Sequence, residues 1–424
     1  MPLAMDNTIA YRPQAPKAIE ETGLSADFIS DLILKTLFYR GTLNGGAIAS
    51  ELKLPYVAVI QAILRNLRES TFVEVRRGST FQDISWDNSL TERGRQRVAE
   101  VLGRDMYLGP APVPLDQYLE VTSKQRFETQ QINEAMVREA LSDLVINDHT
   151  ISQLGPAMNS GRSIFLFGAA GNGKTIVAER LSRTIAGGVM VPYAVEADNQ
   201  VIKVFDPLQH KAIEQEENFA NDNRWVACRR PFIVVGGELT MENLDLMYDS
   251  HLKYYTAPFQ LKANAGMLLI DDFGRQRVSP QDLLNRWIVP LEKGIDFYTL
   301  ITGKQVVVPF DLLIVYSTNL DPKDLVDEAF LRRIRYKIEI GDPSEEEFRE
   351  IFRRVCEAKS IPLRREMLDY LIRHHFREAG RPMRAVHPRD ILEQLIDLAH
   401  YLNEPPEMTE ELLDHACATY FTKL

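Results

Sequence analysis

The 424-residue sequence is poor in cysteine, in long apolar runs and in excess positive charge, and each shortage excludes something. Only three cysteines occur, Cys228, Cys356 and Cys417, far apart and without metal-ligand spacing. That excludes a disulfide scaffold or a thiolate zinc site and suits reduced thiols in a reducing cytosol. No apolar run approaches the roughly 20 residues needed to cross a bilayer. Residues 1–11 also lack the basic-then-apolar pattern of a secretory signal. A cytoplasmic protein without membrane attachment is therefore expected. The net charge of −11 argues against a dominant non-specific nucleic-acid binder. No internal repeat or low-complexity tract is present. What remains, 45% hydrophobic and 26% charged residues, is a globular composition, and the length predicts two or three domains.

The strongest signal lies at 164–175, Ile-Phe-Leu-Phe-Gly-Ala-Ala-Gly-Asn-Gly-Lys-Thr. Ile164 to Phe167 read as a short buried strand. Gly168, Ala169, Ala170, Gly171, Asn172 and Gly173 form a loop whose glycines permit tight turns with N–H groups aimed inward. Lys174 and Thr175 then open a helix. Backbone donors at a helix N-terminus bind polyanionic phosphates, so the segment predicts a nucleoside triphosphate site. Lys174 would reach the β- and γ-phosphates, and the Thr175 hydroxyl would hold Mg²⁺. A second signal, 267–272, is an apolar strand ending in Asp271-Asp272. In a parallel sheet that strand end faces the same crevice. Asp271 would join the Mg²⁺ shell, and Asp272 would polarise a water for attack on the γ-phosphate. A third strand, 312–316, runs into Ser317-Thr318-Asn319, which places Asn319 between the first two motifs to orient that water.

Around these motifs the chain divides into five stretches. Residues 1–24, with three prolines and little periodicity, read as a flexible arm. Residues 25–105 read as a small α+β domain: a helix capped by Ser25 and ended by Gly41, a short helix at 47–52, and a longer one at 55–70. A hairpin of 72–76 with 81–86 around Gly78-Ser79 follows, then a closing helix at 91–102. This order resembles a winged helix-turn-helix. The domain carries 11 Lys and Arg against 10 Asp and Glu, too neutral for tight DNA binding alone. Protein docking and DNA contact through Arg65, Asn66, Arg68, Arg76 and Arg77 both remain open. Residues 106–124 read as a stiff Pro-rich linker. A long helical stretch at 126–147 leads into an alternating strand–helix core spanning 125–341, which predicts a parallel sheet with helices on both faces. Beyond Asp342-Pro343, residues 342–424 read as nearly all helix, starting with a capping box at 344–347.

The 168–175 loop, Asp271-Asp272, Asn319, the Arg332, Arg333 and Arg335 cluster and Arg389 together resemble, over about 135–420, an AAA+ ATPase. The resemblance implies a Walker A loop, a Walker B strand, sensor 1 at Asn319, arginine fingers at Arg332 and Arg335 or Arg333, and sensor 2 at Arg389. It implies an α/β P-loop core with a helical lid, ATP and Mg²⁺ as ligands, and a homo-oligomeric ring, usually of six subunits. Such rings couple ATP hydrolysis to remodelling of a protein or nucleic-acid partner. From the residues alone, the arginine cluster is either a solvated helix face or a set of fingers. Strand-like stretches 295–300 and 304–308 around Thr302-Gly303 resemble the pre-sensor-1 hairpin of the MoxR-like group. The stretch 236–260 matches an inserted loop of that group, with Tyr254, Tyr255 and Phe259 either gripping a substrate or filling a core. Asp272 departs from the usual Glu and loses about 1.5 Å of reach, which predicts slow or tightly gated hydrolysis. Glu238 is a conceivable substitute. Arg275 and Arg277 either contact a neighbouring subunit or are solvated, and His374-His375 reads as a surface pair. Two other functions compete: an ATP-controlled DNA-binding regulator, and a slow or non-hydrolysing assembly switch.

Overall fold

The computed structural model describes residues 8–77, 82–126, 131–214, 220–325 and 331–421. At its centre lies a five-stranded, wholly parallel sheet. Across it the strands run Phe232–Val235, Met267–Ile270, Leu313–Thr318, Ser163–Phe167, Tyr336–Glu339. Strand side chains alternate between faces, and the sequence fills both. Ile164, Leu166, Leu269, Val315 and Ile338 pack on one side against helices Asp148–Asn159 and Lys174–Ser182. Phe165, Leu268, Ile270, Ile314 and Tyr316 pack on the other against helix Pro280–Lys293, through Leu283, Leu284 and Trp287. Nearly every residue of the three middle strands is buried, which is why they read as continuous apolar runs.

The N-terminal unit runs helix Ala26–Arg40, strand Leu43–Asn44, helix Gly45–Leu52, a helical stretch Tyr56–Ile60 continuing as Gln61–Glu69, strand Val73–Arg77, strand Asp87–Leu90 and helix Glu92–Leu102. Asp87–Leu90 is the middle strand, antiparallel to both others. Ser25 caps the first helix through the Phe28 N–H. The second hairpin strand is not at 81–86: residues 83–85 form a 3-10 turn and the strand starts at Asp87. Burial decides this, since Asn88, Ser89 and Leu90 face inward while Ile84 stays exposed. Gly78 and Ser79 lie outside the described residues.

Three further expectations are corrected. Residues 8–24 are not a loose arm: Ile9 bridges Gly188, Gln14 bridges Asn221, and Thr22 is buried. The stretch 106–124 is not an extended spacer: Val113–Pro114 pairs with Ala194–Ala197, and Leu115–Lys124 is a helix. The buried guanidinium of Arg224 fastens both, donating to the carbonyls of Thr22 and Pro112 and to Gln117, while paired with buried Asp222 at 2.8 Å. Nor is 126–147 one helix. Helix Glu134–Ala140 ends before a second begins at Asp148, capped by Asn147, and 127–130 lie outside the described residues.

A second β layer is built from segments that lie before, between and after the first two core strands in sequence. Strands Met247–Asp249, Tyr254–Thr256, Gln200–Lys203, Ala194–Ala197 and Val113–Pro114 form one sheet, and Gly188–Pro192 pairs with Trp225–Arg229. Its outer edge meets the N-terminal unit, where Met106 N–H bonds Leu252 O and the rings of Tyr107 and Tyr254 meet edge to face. Strands Ile295–Thr299 and Gln305–Pro309 form an antiparallel hairpin. Its tip is tied to this layer, Lys304 to Asp198 at 2.9 Å and Ile301 N–H to the Tyr255 hydroxyl at 2.6 Å. Residues 345–420 form a helical bundle with its own core, including Phe348, Phe352, Phe376, Leu392 and Leu413. It opens with a capping box in which Ser344 and Glu347 bond each other reciprocally. All three cysteines are buried and unbridged. No single helix among the described residues is long and apolar enough to cross a membrane.

Candidate functional site

The 168–175 loop leaves the C-terminal end of the Ser163–Phe167 strand and enters helix Lys174–Ser182. Its carbonyls and its N–H groups are used very differently. Lys174 Nζ donates to the carbonyls of Gly168 (2.9 Å) and Ala169 (3.0 Å), Arg384 to that of Ala170 (3.1 Å), and the Val386 N–H to that of Gly171 (2.9 Å). The N–H groups of Ala169 through Gly173 donate to no protein acceptor among the described residues. A row of unsatisfied donors beside an ammonium group and a helix N-terminus is an anion cradle. Burial pushes the Lys174 pKa down, and the carboxylates of Asp271 and Asp272 oppose that shift.

The two carboxylates arrive from the end of the Met267–Ile270 strand, two places across the sheet. Asp271 accepts from the Thr175 hydroxyl at 2.8 Å. Two hard oxygens so placed suit Mg²⁺, which keeps several of its waters and needs few protein ligands. Asp272 is exposed and held in the left-handed region at φ 49°. The turn carrying it is braced: Phe273 N–H bonds Ser317 O (2.7 Å), and Gln276 bridges the Asp271 carbonyl (2.7 Å) and the Gly274 N–H (2.8 Å). Asn319 follows the intervening strand Leu313–Thr318 and also lines the cleft.

The cleft has a volume of about 1040 Å³ and is closed on its far side by the helical bundle. Its phosphate-loop end is polar. Apolar side chains of Leu144, Val145 and Ile146, and of Ile351, Val355 and Ala358 from helix Glu345–Ala358, also line the cleft. Arg389 lines it from helix His387–Leu402, paired with Asp390 at 2.9 Å. Asn172 stitches loop, hinge and bundle together: its amide donates to Asp342 at 2.7 Å and accepts from the Ala385 N–H at 3.3 Å.

Gly168, Ala169, Ala170, Gly171, Asn172, Gly173, Lys174, Thr175, Asp271, Asp272, Asn319 and Arg389 thus share one locality. Arg332, Arg333 and Arg335 do not line the cleft; all three are exposed, with Arg333 paired to Glu292 at 2.8 Å. Residues 327–330 before them lie outside the described residues. Glu238 does not reach the cleft, because its carboxylate folds back onto the Gly236 N–H. Tyr254, Tyr255 and Phe259 pack into three different hydrophobic clusters. His374 and His375 bond Glu378 and Asp414. Sequence reasoning passed over Arg384, whose role depends on a loop more than 200 residues away, and left Arg275 undecided although it lines the cleft.

A family model described as "Domain of unknown function (DUF8689)" matches residues 344–419, the helical bundle. No curated protein matches the sequence. Among solved structures, the chain is similar to NtrX from Brucella abortus, at 13% identity and a TM-score of 0.39, covering 78% of this chain and 60% of that one. It is also similar to the RuvB Holliday junction branch migration motor of Thermotoga maritima, at 12% identity and 0.36, covering 69% and 73%. Domain III of the Thermotoga maritima replication initiation protein DnaA gives 14% and 0.37, covering 67% and 97%. The P-loop-like fold rests on the parallel strand order and the Gly-rich loop themselves.

Proposed function

We propose that this chain binds ATP with Mg²⁺ and hydrolyses it as an AAA+ type ATPase. The observation that carries this reading is the 168–175 loop, with its carbonyls engaged and its N–H groups unused, facing two carboxylates across the sheet. The triphosphate would lie on the loop with Lys174 at the β- and γ-phosphates, and the apolar lining of the cleft would take the base. Thr175 and Asp271 would hold Mg²⁺, whose charge neutralises the phosphates when bound. Asp272 accepts a proton from the attacking water while Asn319 orients it. The water oxygen bonds the γ-phosphorus, and the bond to the β–γ bridging oxygen breaks with its electron pair leaving on ADP.

The exposed Arg332 and Arg335 fit a role towards a neighbouring subunit, which supports a ring of identical chains. A protein partner is favoured over DNA for the winged-helix-like unit. Arg68 is committed internally, to Asn88 at 2.8 Å and over the Trp86 ring, and Gln61 on the same helix bonds the Asp83 carboxylate. The test is ATP turnover per subunit as protein concentration rises, with Lys174→Ala as the blank. A specific rate that climbs and saturates supports sites completed between subunits. Tight ATP binding retained by Lys174→Ala would overturn the site itself.

A further inference from the structure

Five cationic side chains line the cleft, and four are engaged. Lys174 donates to the loop carbonyls, Arg389 pairs with Asp390, Lys359 pairs with Glu393 at 2.9 Å, and Arg354 binds Glu350 and the carbonyls of Ser142 and Leu144. The guanidinium of the fifth, Arg275, has no hydrogen bond or ion pair among the described residues. Yet its backbone is tightly held. The Arg275 N–H donates to the Asp272 backbone carbonyl at 3.0 Å, so the chain turns back sharply just after Asp272 instead of running on. Gln276 braces the turn, and at Gly274 (φ 102°) a Cβ would lie 2.6 Å from Leu325. A rigid turn therefore presents an uncompensated cation to the polar end of the cleft.

We propose that Arg275 is the in-chain cation that meets the terminal phosphate of the bound triphosphate, alongside Lys174 and next to Asp272. The assignment rests on the nucleotide-binding reading above. Phosphoryl transfer spreads negative charge over the three equatorial oxygens of the γ-phosphoryl group. A guanidinium offers those oxygens two parallel donors in a fixed plane, without sharing its charge with a carboxylate. A diphosphate lacks the group that Arg275 contacts, so the side chain reads the triphosphate selectively.

The test titrates the full chain, in Mg²⁺, with ADP and with the β,γ-imido analogue of ATP. Arg275→Ala is expected to weaken the imido analogue roughly tenfold or more while leaving ADP within about twofold, and Arg275→Lys to recover part of the loss. Turnover should fall with kcat more than with KM, because the charge is met most strongly in the transition state. Weakening of neither nucleotide would make Arg275 a solvated side chain, and equal weakening of both would assign it to the shared phosphates; either overturns the γ-phosphate assignment and leaves the nucleotide site standing. Wild-type chain that binds neither nucleotide would overturn both assignments. Arg275 is exposed, so an unchanged thermal midpoint checks that the variants fold.

Discussion

Gly168 sits at φ 136°, and a Cβ there would lie 2.3 Å from the Ile340 carbonyl, a backbone atom that cannot step aside. Gly168→Ala should therefore cost about 1–3 kcal/mol of stability and weaken nucleotide binding with it, read by thermal melting and titration together. Asp272 carries a different kind of strain, a left-handed backbone at a non-glycine position. Positive φ at such residues gathers at sites of chemistry. Asp272→Asn keeps the shape and removes the carboxylate proposed above as the proton acceptor. It should lower turnover roughly 100-fold or more while leaving ADP binding intact; turnover at the wild-type rate would move the base elsewhere. At this scale the sequence was informative wherever spacing is short. Strand, loop, lysine and threonine occupy twelve consecutive positions, so their geometry is local. Arg384 and the second partner of Asn172 depend on where the helical bundle docks, which no local pattern encodes.

Elements were legible where one physical cue dominated. Ser25 and Ser344 cap their helices, and buried strands announce themselves by unbroken apolarity. Cues failed where tertiary packing overrode them: alternation pointed to a strand at 81–86, and prolines pointed to a free spacer at 106–124. Helix Pro280–Lys293 supports one whole face of the central sheet through Trp287, which is fully buried. Trp287→Ala should cost about 3–5 kcal/mol, measured by denaturant unfolding. Helix His387–Leu402 begins at a buried imidazole whose Nδ1 accepts the Arg384 N–H. Burial and the Arg384 charge push the His387 pKa down from 6.5 to about 4. The folded state thus keeps the ring neutral while the unfolded chain takes up a proton below 6.5, so stability intact above that pH is lost as pH falls towards 4. His387→Asn retains an acceptor and cannot titrate. Its thermal midpoint should fall less than that of the wild type between pH 7 and pH 5, and parallel falls would remove His387 as the cause.

On the scale of the whole molecule, the N-terminal unit, the second β layer, the hairpin and the central sheet form a continuous packed body. Arg224 is the joint. Removing its charge strands Asp222, itself buried, so Arg224→Met should destabilise by about 3–5 kcal/mol and expose 8–24 and 106–124 to limited proteolysis. A double replacement, Arg224→Met with Asp222→Leu, should recover much of the stability. None of this was visible beforehand, because a lone arginine in a sequence does not disclose that two distant segments converge on it. Asn172 has the same connecting character at the opposite end of the chain's architecture, holding Asp342 with one amide atom and the bundle backbone with the other. Loop and bundle are thereby joined through one side chain. If a ligand that tightens the loop turns the bundle through this link, then by reciprocity a load pulling on the bundle lowers the affinity of the loop by the same factor. Mechanical work and ligand release would then be two readings of one displacement, with a side-chain amide as the gear between them.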